Sequence, residues 1–119
     1  MTVGEQLDAA RDLIARSDPA TTGLWPRAAA LLARQALERT LDEYWERRAP
    51  GVQHVSARAQ LAYVSDYLRD PDLSGEIAYA WGALSDACHH HAYDLGLTEA
   101  ELRRRLDAVE HVAKQLASQ

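Results

Sequence analysis

The stretch WGALSDACHHH, which begins at residue 81, carries residue types that serve in catalysis and in metal binding. Asp86 and His90 are four residues apart, so their side chains are neighbours on a helix, and the carboxylate would fix the imidazole tautomer and raise its basicity. Consecutive histidines on a helix point about 100° apart, so residues 89–91 do not converge on one ion. The chain has no HExxH motif and no CxxC pair. The stretch therefore favours an Asp–His pair, and we predict neither a bound metal nor a cofactor.

The elements that carry these residues are predicted to be helices. Prolines and glycines divide the chain into segments, and no segment alternates apolar and polar residues as a strand does. Five helices are predicted. The first, second and fourth span about residues 3–16, 26–48 and 73–95, the third follows the N-cap Ser56, and the fifth begins at Thr98. We expect an all-α fold in a single domain over residues 1–119. It would be an antiparallel four-helix bundle, formed mainly by the second to fifth helices, with a short extra N-terminal helix.

Apolar residues at helical spacing predict the core. Thr98 and Glu101 form a capping box at the start of the fifth helix, and Leu97 and Leu102 are placed to form a hydrophobic staple. The predicted core positions, in helix order, are Leu7, Ala10 and Ile14; Ala30, Ala33, Leu37, Leu41, Tyr44 and Trp45; Leu61, Val64 and Leu68; Ile77, Trp81, Leu84, Cys88 and Leu95, flanked by His91; and Leu102, Leu106, Val109, Ala113 and Leu116.

The fourth helix has a second face, opposite its core stripe. Gly82 costs about 1 kcal/mol relative to alanine in a helix interior, and the close approach of another helix would offset that cost. We predict that this face forms a homodimer interface or a cleft; a solvated surface with a chance Asp–His pair is the alternative. The members of the face are Tyr79, Gly82, Ala83, Asp86, His90 and Tyr93.

Composition limits the class of protein. The net charge of −5 argues against a broad surface for duplex DNA, although a small basic cleft for single-stranded RNA remains open. The single cysteine excludes an internal disulfide and fits a reducing compartment. No signal peptide and no run of about 18 apolar residues is present, so we expect a cytoplasmic protein without a membrane partner. Arginine outnumbers lysine twelve to one, which indicates a GC-rich bacterial genome.

Two stretches together resemble the HEPN superfamily, the higher eukaryote and prokaryote nucleotide-binding domain. The segment PRAAALLARQALERTLDEYW, residues 26–45, resembles its long second helix, with an ARxALE pattern at residues 33–38. About fifty residues later, LSDACHH is similar to the superfamily's signature, an arginine followed by four to six residues and a histidine. In this alignment Ser85 stands at the arginine position, Asp86 at a polar position and His90 at the histidine. The resemblance covers roughly residues 24–117.

The resemblance implies a dimer in which two such motifs meet. Active HEPN proteins are metal-independent endoribonucleases, in which the histidine acts on the ribose 2′-hydroxyl or the leaving group and the arginine stabilises the phosphate charge. They serve in toxin–antitoxin pairs, phage defence and RNA processing, and other members are binding or assembly modules. Because Ser85 replaces the arginine, the motif lacks its cation, which Arg34 or Arg58 could supply from another helix.

We therefore expect a dimeric helical module of a bacterial stress, toxin–antitoxin or phage-defence system. Its partner would be a protein, a nucleotide or RNA. Two alternatives remain open. One is a metal-independent endoribonuclease that uses Asp86 and His90. The other is a metal- or ligand-sensing helical bundle.

Overall fold

The described part of the chain is all-helical. A computed structural model describes residues 1–16, 25–88 and 98–119, and within these ranges there is no strand. None of the described helices is long and apolar enough to cross a bilayer. The helices are α1 (Val3–Ala15), α2 (Trp25–Arg48), α3 (Ala57–Leu68), α4 (Pro71–Cys88) and α5 (Glu99–Ala117), with a short 3₁₀ turn over Val52–His54.

Side-chain caps fix the helix starts. Ser56 Oγ accepts a hydrogen bond from the amide of Ala59 at 3.2 Å, and Thr98 Oγ1 accepts one from the amide of Glu101 at 3.1 Å, as the sequence predicts for both N-caps. The predicted end of α4 at Leu95 and the staple residue Leu97 lie outside the described residues.

The start of the fourth helix differs from the predicted one, whereas α1 begins at Val3 as predicted. The fourth helix begins at Pro71, two residues earlier than expected, because Asp70 Oδ1 accepts from the amide of Leu73 at 3.1 Å and proline suits the first helical position. A full capping box opens α1, where Thr2 and Glu5 exchange side-chain and backbone hydrogen bonds. The hydrogen bond from the Thr2 amide is the main reason that the pKa of Glu5 is lowered.

The first helix is an integral part of the bundle, which differs from the expected short addition. It packs against both α2 and α5, and its predicted core residues are buried. Arg11 Nη2 contacts Asp107 Oδ1 at 3.0 Å and Glu110 Oε2 at 2.7 Å on α5. The element outside the main packing is α3, which has 12 residues and rests mainly on α4.

Helices α2 and α4 run antiparallel. Arg27 in the first turn of α2 contacts Cys88 in the last described turn of α4, and seven residues further along α2, Arg34 contacts Trp81. This pairing places the beginning of α2 beside the segment that leads into the histidine run.

Most predicted core positions are buried. Among the described positions the exceptions are Leu61, Trp81 and Ala113, which are half-buried, and the predicted core residue Leu95 lies outside the described residues. Three residues outside α2 are buried although they were not predicted: Leu73, Ala80 and Val112. The apolar arc of α2 is wider than expected because three further residues of that helix are buried: Ala29, Ala36 and Thr40. Thr40 satisfies its hydroxyl by donating to the carbonyl of Ala36 at 2.8 Å.

The largest buried side chain is Trp45, which is 0% exposed. Its ring lies edge-on to Tyr67 of α3, with centroids 5.4 Å apart. Its Nε1 donates to Gln60 Oε1 at 3.2 Å, and Gln60 Nε2 in turn donates to the carbonyls of Gln53 and Val55. The buried indole therefore anchors both α3 and the connection that precedes it.

Candidate functional site

The second face of α4 lies on the surface of the chain. Tyr79 is 66% exposed, Gly82 and Asp86 are exposed, and Ala83 is half-buried. The remaining predicted members, His90 and Tyr93, lie outside the described residues. The described half of the face is thus available to solvent or to another molecule.

Gly82 has open space beside it. Among residues 1–16, 25–88 and 98–119, a Cβ atom built at this position would meet no heavy atom within 4 Å beyond the nearby backbone of its own helix, and the same holds for Gly75, one heptad earlier. None of the described helices therefore approaches Gly82 closely enough to require a glycine. The described helices of this chain thus supply no close packing that would offset the cost of Gly82.

Tyr79 carries a cation against its ring. The guanidinium carbon of Arg105 on α5 lies 4.6 Å from the ring centroid, within the range of a cation–π interaction. This contact joins α4 to α5 at the surface. It also holds one of the three consecutive arginines of α5 beside the predicted interface.

Ser85 and Asp86 do not share a surface. Ser85 is half-buried, and its Oγ is inaccessible and has no hydrogen-bond partner among the described residues. Asp86 is exposed. Adjacent helical residues point about 100° apart, so Ser85 faces inward where Asp86 faces outward. The structure therefore does not group these two predicted catalytic residues in one cleft.

The guanidinium of Arg34, a predicted partner of the phosphate, is held by two neighbours in its own chain. It lies over Trp81, 5.1 Å from the ring centroid, and its Nε contacts Glu38 Oε1 at 3.1 Å. Both side chains line a cavity of about 230 Å³ between α2, α3 and α4. Trp81 lies about 140° around the helix from Asp86, since five residues separate them. Arg34 is therefore engaged away from the Asp86 surface.

The cavity beside Arg34 is acidic. Asp42 also lines it, and the pKa of Asp42 is raised, mainly by burial and then by the negative charges of Glu38 and Glu46. A phosphate group would be repelled by these carboxylates. Arg58, the other predicted basic contributor, is exposed on α3.

Arg27 is the arginine that the structure places beside the end of α4, and the sequence analysis missed it. Its Nε donates to the carbonyl oxygen of Cys88 at 2.9 Å, and Cys88 precedes His90 by two residues in the chain. The predicted antiparallel bundle could have indicated this residue, because antiparallel pairing of the second and fourth helices brings the first turn of α2 to the end of α4.

The described residues do not form a metal centre. No group of three or more His, Cys, Asp or Glu side chains among residues 1–16, 25–88 and 98–119 is arranged to hold an ion. Cys88 is buried on the core side of α4, as its position in the apolar stripe predicts. The three consecutive histidines lie outside these ranges.

Comparison with known proteins leaves the all-helical fold as the established class. No protein-family model matches the chain, and neither the curated proteins nor the solved structures show significant similarity to it. The resemblance to HEPN domains thus depends only on the two sequence stretches at residues 26–45 and 84–90.

Proposed function

We propose that this chain is a HEPN-like helical module that forms a homodimer through α4 and binds a partner protein, a nucleotide or RNA in a bacterial stress, toxin–antitoxin or phage-defence system. The observation that carries the proposal is the open face of α4 around Gly82. None of the described neighbours in its own chain requires a glycine at position 82, and a helix that packs against it from a second copy would account for this residue.

The composition of this face supports association. Tyr79 and Arg105 are of the two residue types, tyrosine and arginine, that are enriched at protein interfaces and among their energetic hot spots. They are already stacked on each other at 4.6 Å, which reduces the conformational entropy that they lose on binding. Gly82 and the half-buried Ala83 leave the helix backbone accessible beside them.

Sedimentation tests the dimer directly. We expect the wild-type chain to be dimeric at tens of micromolar and Gly82→Arg to be monomeric with unchanged helical content, because the new side chain enters open space in the single chain. Ala62→Arg is the matched control, since Ala62 is an exposed residue in the interior of α3. A monomeric wild type, or equal effects of the two arginine substitutions, contradicts the proposal.

A metal-independent endoribonuclease is the second candidate function. It is favoured by the contact between Arg27 and Cys88, which brings a guanidinium to the chain two residues before His90. With Asp86 and His90 as the acid–base pair, Arg27 would replace the arginine that Ser85 displaces from the motif. Its remaining donors would stabilise the negative charge that develops on a phosphate.

Cleavage of labelled RNA in EDTA tests this candidate. Removing one electrostatic contact of this kind costs roughly 10²- to 10³-fold in rate, which is the loss expected for Arg27→Gln. Removing a general acid–base group costs roughly 10²- to 10⁴-fold, which is the loss expected for His90→Ala. Arg48→Gln is the control, because Arg48 is exposed at the opposite end of α2. Cleavage that survives His90→Ala, or that disappears in EDTA, contradicts this function and leaves the binding module as the proposal.

A further inference from the structure

One cavity with a mainly apolar lining is bordered by residues of α1, α2 and α5 and by none of α4. It has a volume of about 370 Å³ and lies between the beginning of α1 and the ends of α2 and α5. Ligand pockets for small molecules occupy about 300–1,000 Å³ and are lined mainly by apolar groups. The apolar residues that line this cavity are Val3, Leu7, Ala113, Leu116 and Ala117.

Most charges at the rim are already paired. Arg11 binds both Asp107 and Glu110, and Lys114 also contacts Glu110, at 3.6 Å. Arg47 differs from these cations, because its Nη2 donates to a backbone carbonyl, that of Leu116, at 2.9 Å. A guanidinium has five N–H donors in a planar fork. Arg47 can therefore keep this bond and still offer donors to an anion.

The other acidic residues of the rim limit the charge of a ligand. Asp8 and Glu43 also line the cavity, and Glu43 contacts Arg39 at 3.6 Å. A ligand with several negative charges would be repelled by these carboxylates. This lining accommodates a ligand with a single negative group beside Arg47 and an apolar body against the apolar residues of the cavity.

We infer that this cavity binds a small amphipathic monoanion, with an apolar body against Leu7 and Leu116 and a carboxylate-type group on Arg47. Arginine pairs with carboxylates in a bidentate geometry that fixes orientation as well as adding binding energy. The inference does not depend on the proposed dimer, since it concerns α1, α2 and α5.

Three probes that share an eight-carbon alkyl chain test the inference: octanoate, octan-1-ol and octylammonium. Their binding is measured by calorimetry and by thermal shift. We expect octanoate to bind the wild type most tightly and to raise its unfolding midpoint. Arg47→Gln should weaken octanoate binding by roughly 10- to 100-fold, the effect of losing one hydrogen bond to a charged group, and should change octan-1-ol binding little. Arg48→Gln is the control with the same net charge, because Arg48 lines a separate depression with Asp66 and Tyr67.

A cavity-filling substitution tests the location. Ala113→Leu adds volume to the lining and suits a helix, so it should abolish binding of both octanoate and octan-1-ol while circular dichroism shows the fold retained. The inference is overturned by any of three results: no saturable octanoate binding by the wild type, equal weakening by Arg47→Gln and Arg48→Gln, or binding that Ala113→Leu leaves unchanged.

Discussion

Arg27 on α2 and Cys88 on α4 are joined by a 2.9 Å hydrogen bond from the guanidinium Nε to the carbonyl oxygen. The bond connects residues 61 positions apart in the chain. It is partly buried and has a charged donor, which makes it stronger than a neutral bond of the same geometry. Arg27 therefore has a structural role at this end of the bundle that is independent of any reaction on RNA.

Arg27→Gln is expected to lower the free energy of unfolding by about 1–2 kcal/mol, because hydrogen bonds to charged groups contribute about 1.5–3 kcal/mol and this one is only partly shielded from water. Urea denaturation measures the change. Arg58→Gln removes the same charge from an exposed position and should change stability by less than about 0.5 kcal/mol. Equal midpoints for the two variants would mean that the Arg27–Cys88 bond contributes nothing to stability.

Tyr44→Phe is expected to leave stability unchanged or to raise it by up to about 1 kcal/mol. Tyr44 is 1% exposed, and its hydroxyl has no hydrogen-bond partner among the described residues. An unsatisfied buried hydroxyl costs about 1–3 kcal/mol, and its removal recovers part of that cost. Thermal denaturation compares this variant with Tyr67→Phe, whose side chain is 43% exposed. A clear loss of stability in Tyr44→Phe alone would show that the hydroxyl is bonded in solution.

The sequence predicts the described helices well because their determinants are local. Ser56 and Thr98 act as N-caps where predicted, and the apolar stripes are buried because a 3.6-residue period fixes the centre of each buried arc. The period does not fix the width of an arc. Helix α5 packs against α1, α2 and α4. The number and position of these neighbouring helices determine that Val112 is buried and Ala113 is only half-buried.

The candidate site was predictable only in part. The exposure of Tyr79 and Asp86 follows from the phase of the α4 stripe, which is a local property. One of the two contacts of Arg34 was predictable from the sequence, because Glu38 is four residues away and such pairs meet on a helix. Its stacking on Trp81 and the contact of Arg27 with Cys88 depend on the register of α2 against α4, and a single sequence does not encode that register in any local pattern.

Asp42→Asn is expected to stabilise the protein at neutral pH. The folded-state pKa of Asp42 is raised, mainly by burial and then by Glu38 and Glu46, so the folded protein holds this proton more tightly than the unfolded chain does. The resulting stabilisation is complete below the unfolded pKa and is lost as the pH rises through the folded pKa. The advantage of asparagine should therefore shrink as the pH falls through that range.

Thermal midpoints of wild type and Asp42→Asn as a function of pH measure this dependence. Asp66→Asn is the control, since Asp66 is exposed on α3. An advantage of Asp42→Asn that is independent of pH would show that the titration of Asp42 does not cause it.

Gly82→Ala is expected to have opposite effects on the single chain and on its dimer. In the single chain the added methyl meets open space and alanine favours the helix by about 1 kcal/mol, so the unfolding midpoint of the dilute protein should rise. In a dimer whose helices approach at Gly82, the same methyl separates the backbones, and the dissociation constant measured by sedimentation should rise as well.

Gly75→Ala calibrates the helix-propensity effect, because a Cβ at Gly75 also meets open space among the described residues. If Gly82→Ala stabilises the chain as Gly75→Ala does and leaves association untouched, Gly82 lies in a solvated helix surface and the proposed interface is wrong. A raised midpoint together with weakened association would place the helix contact at Gly82.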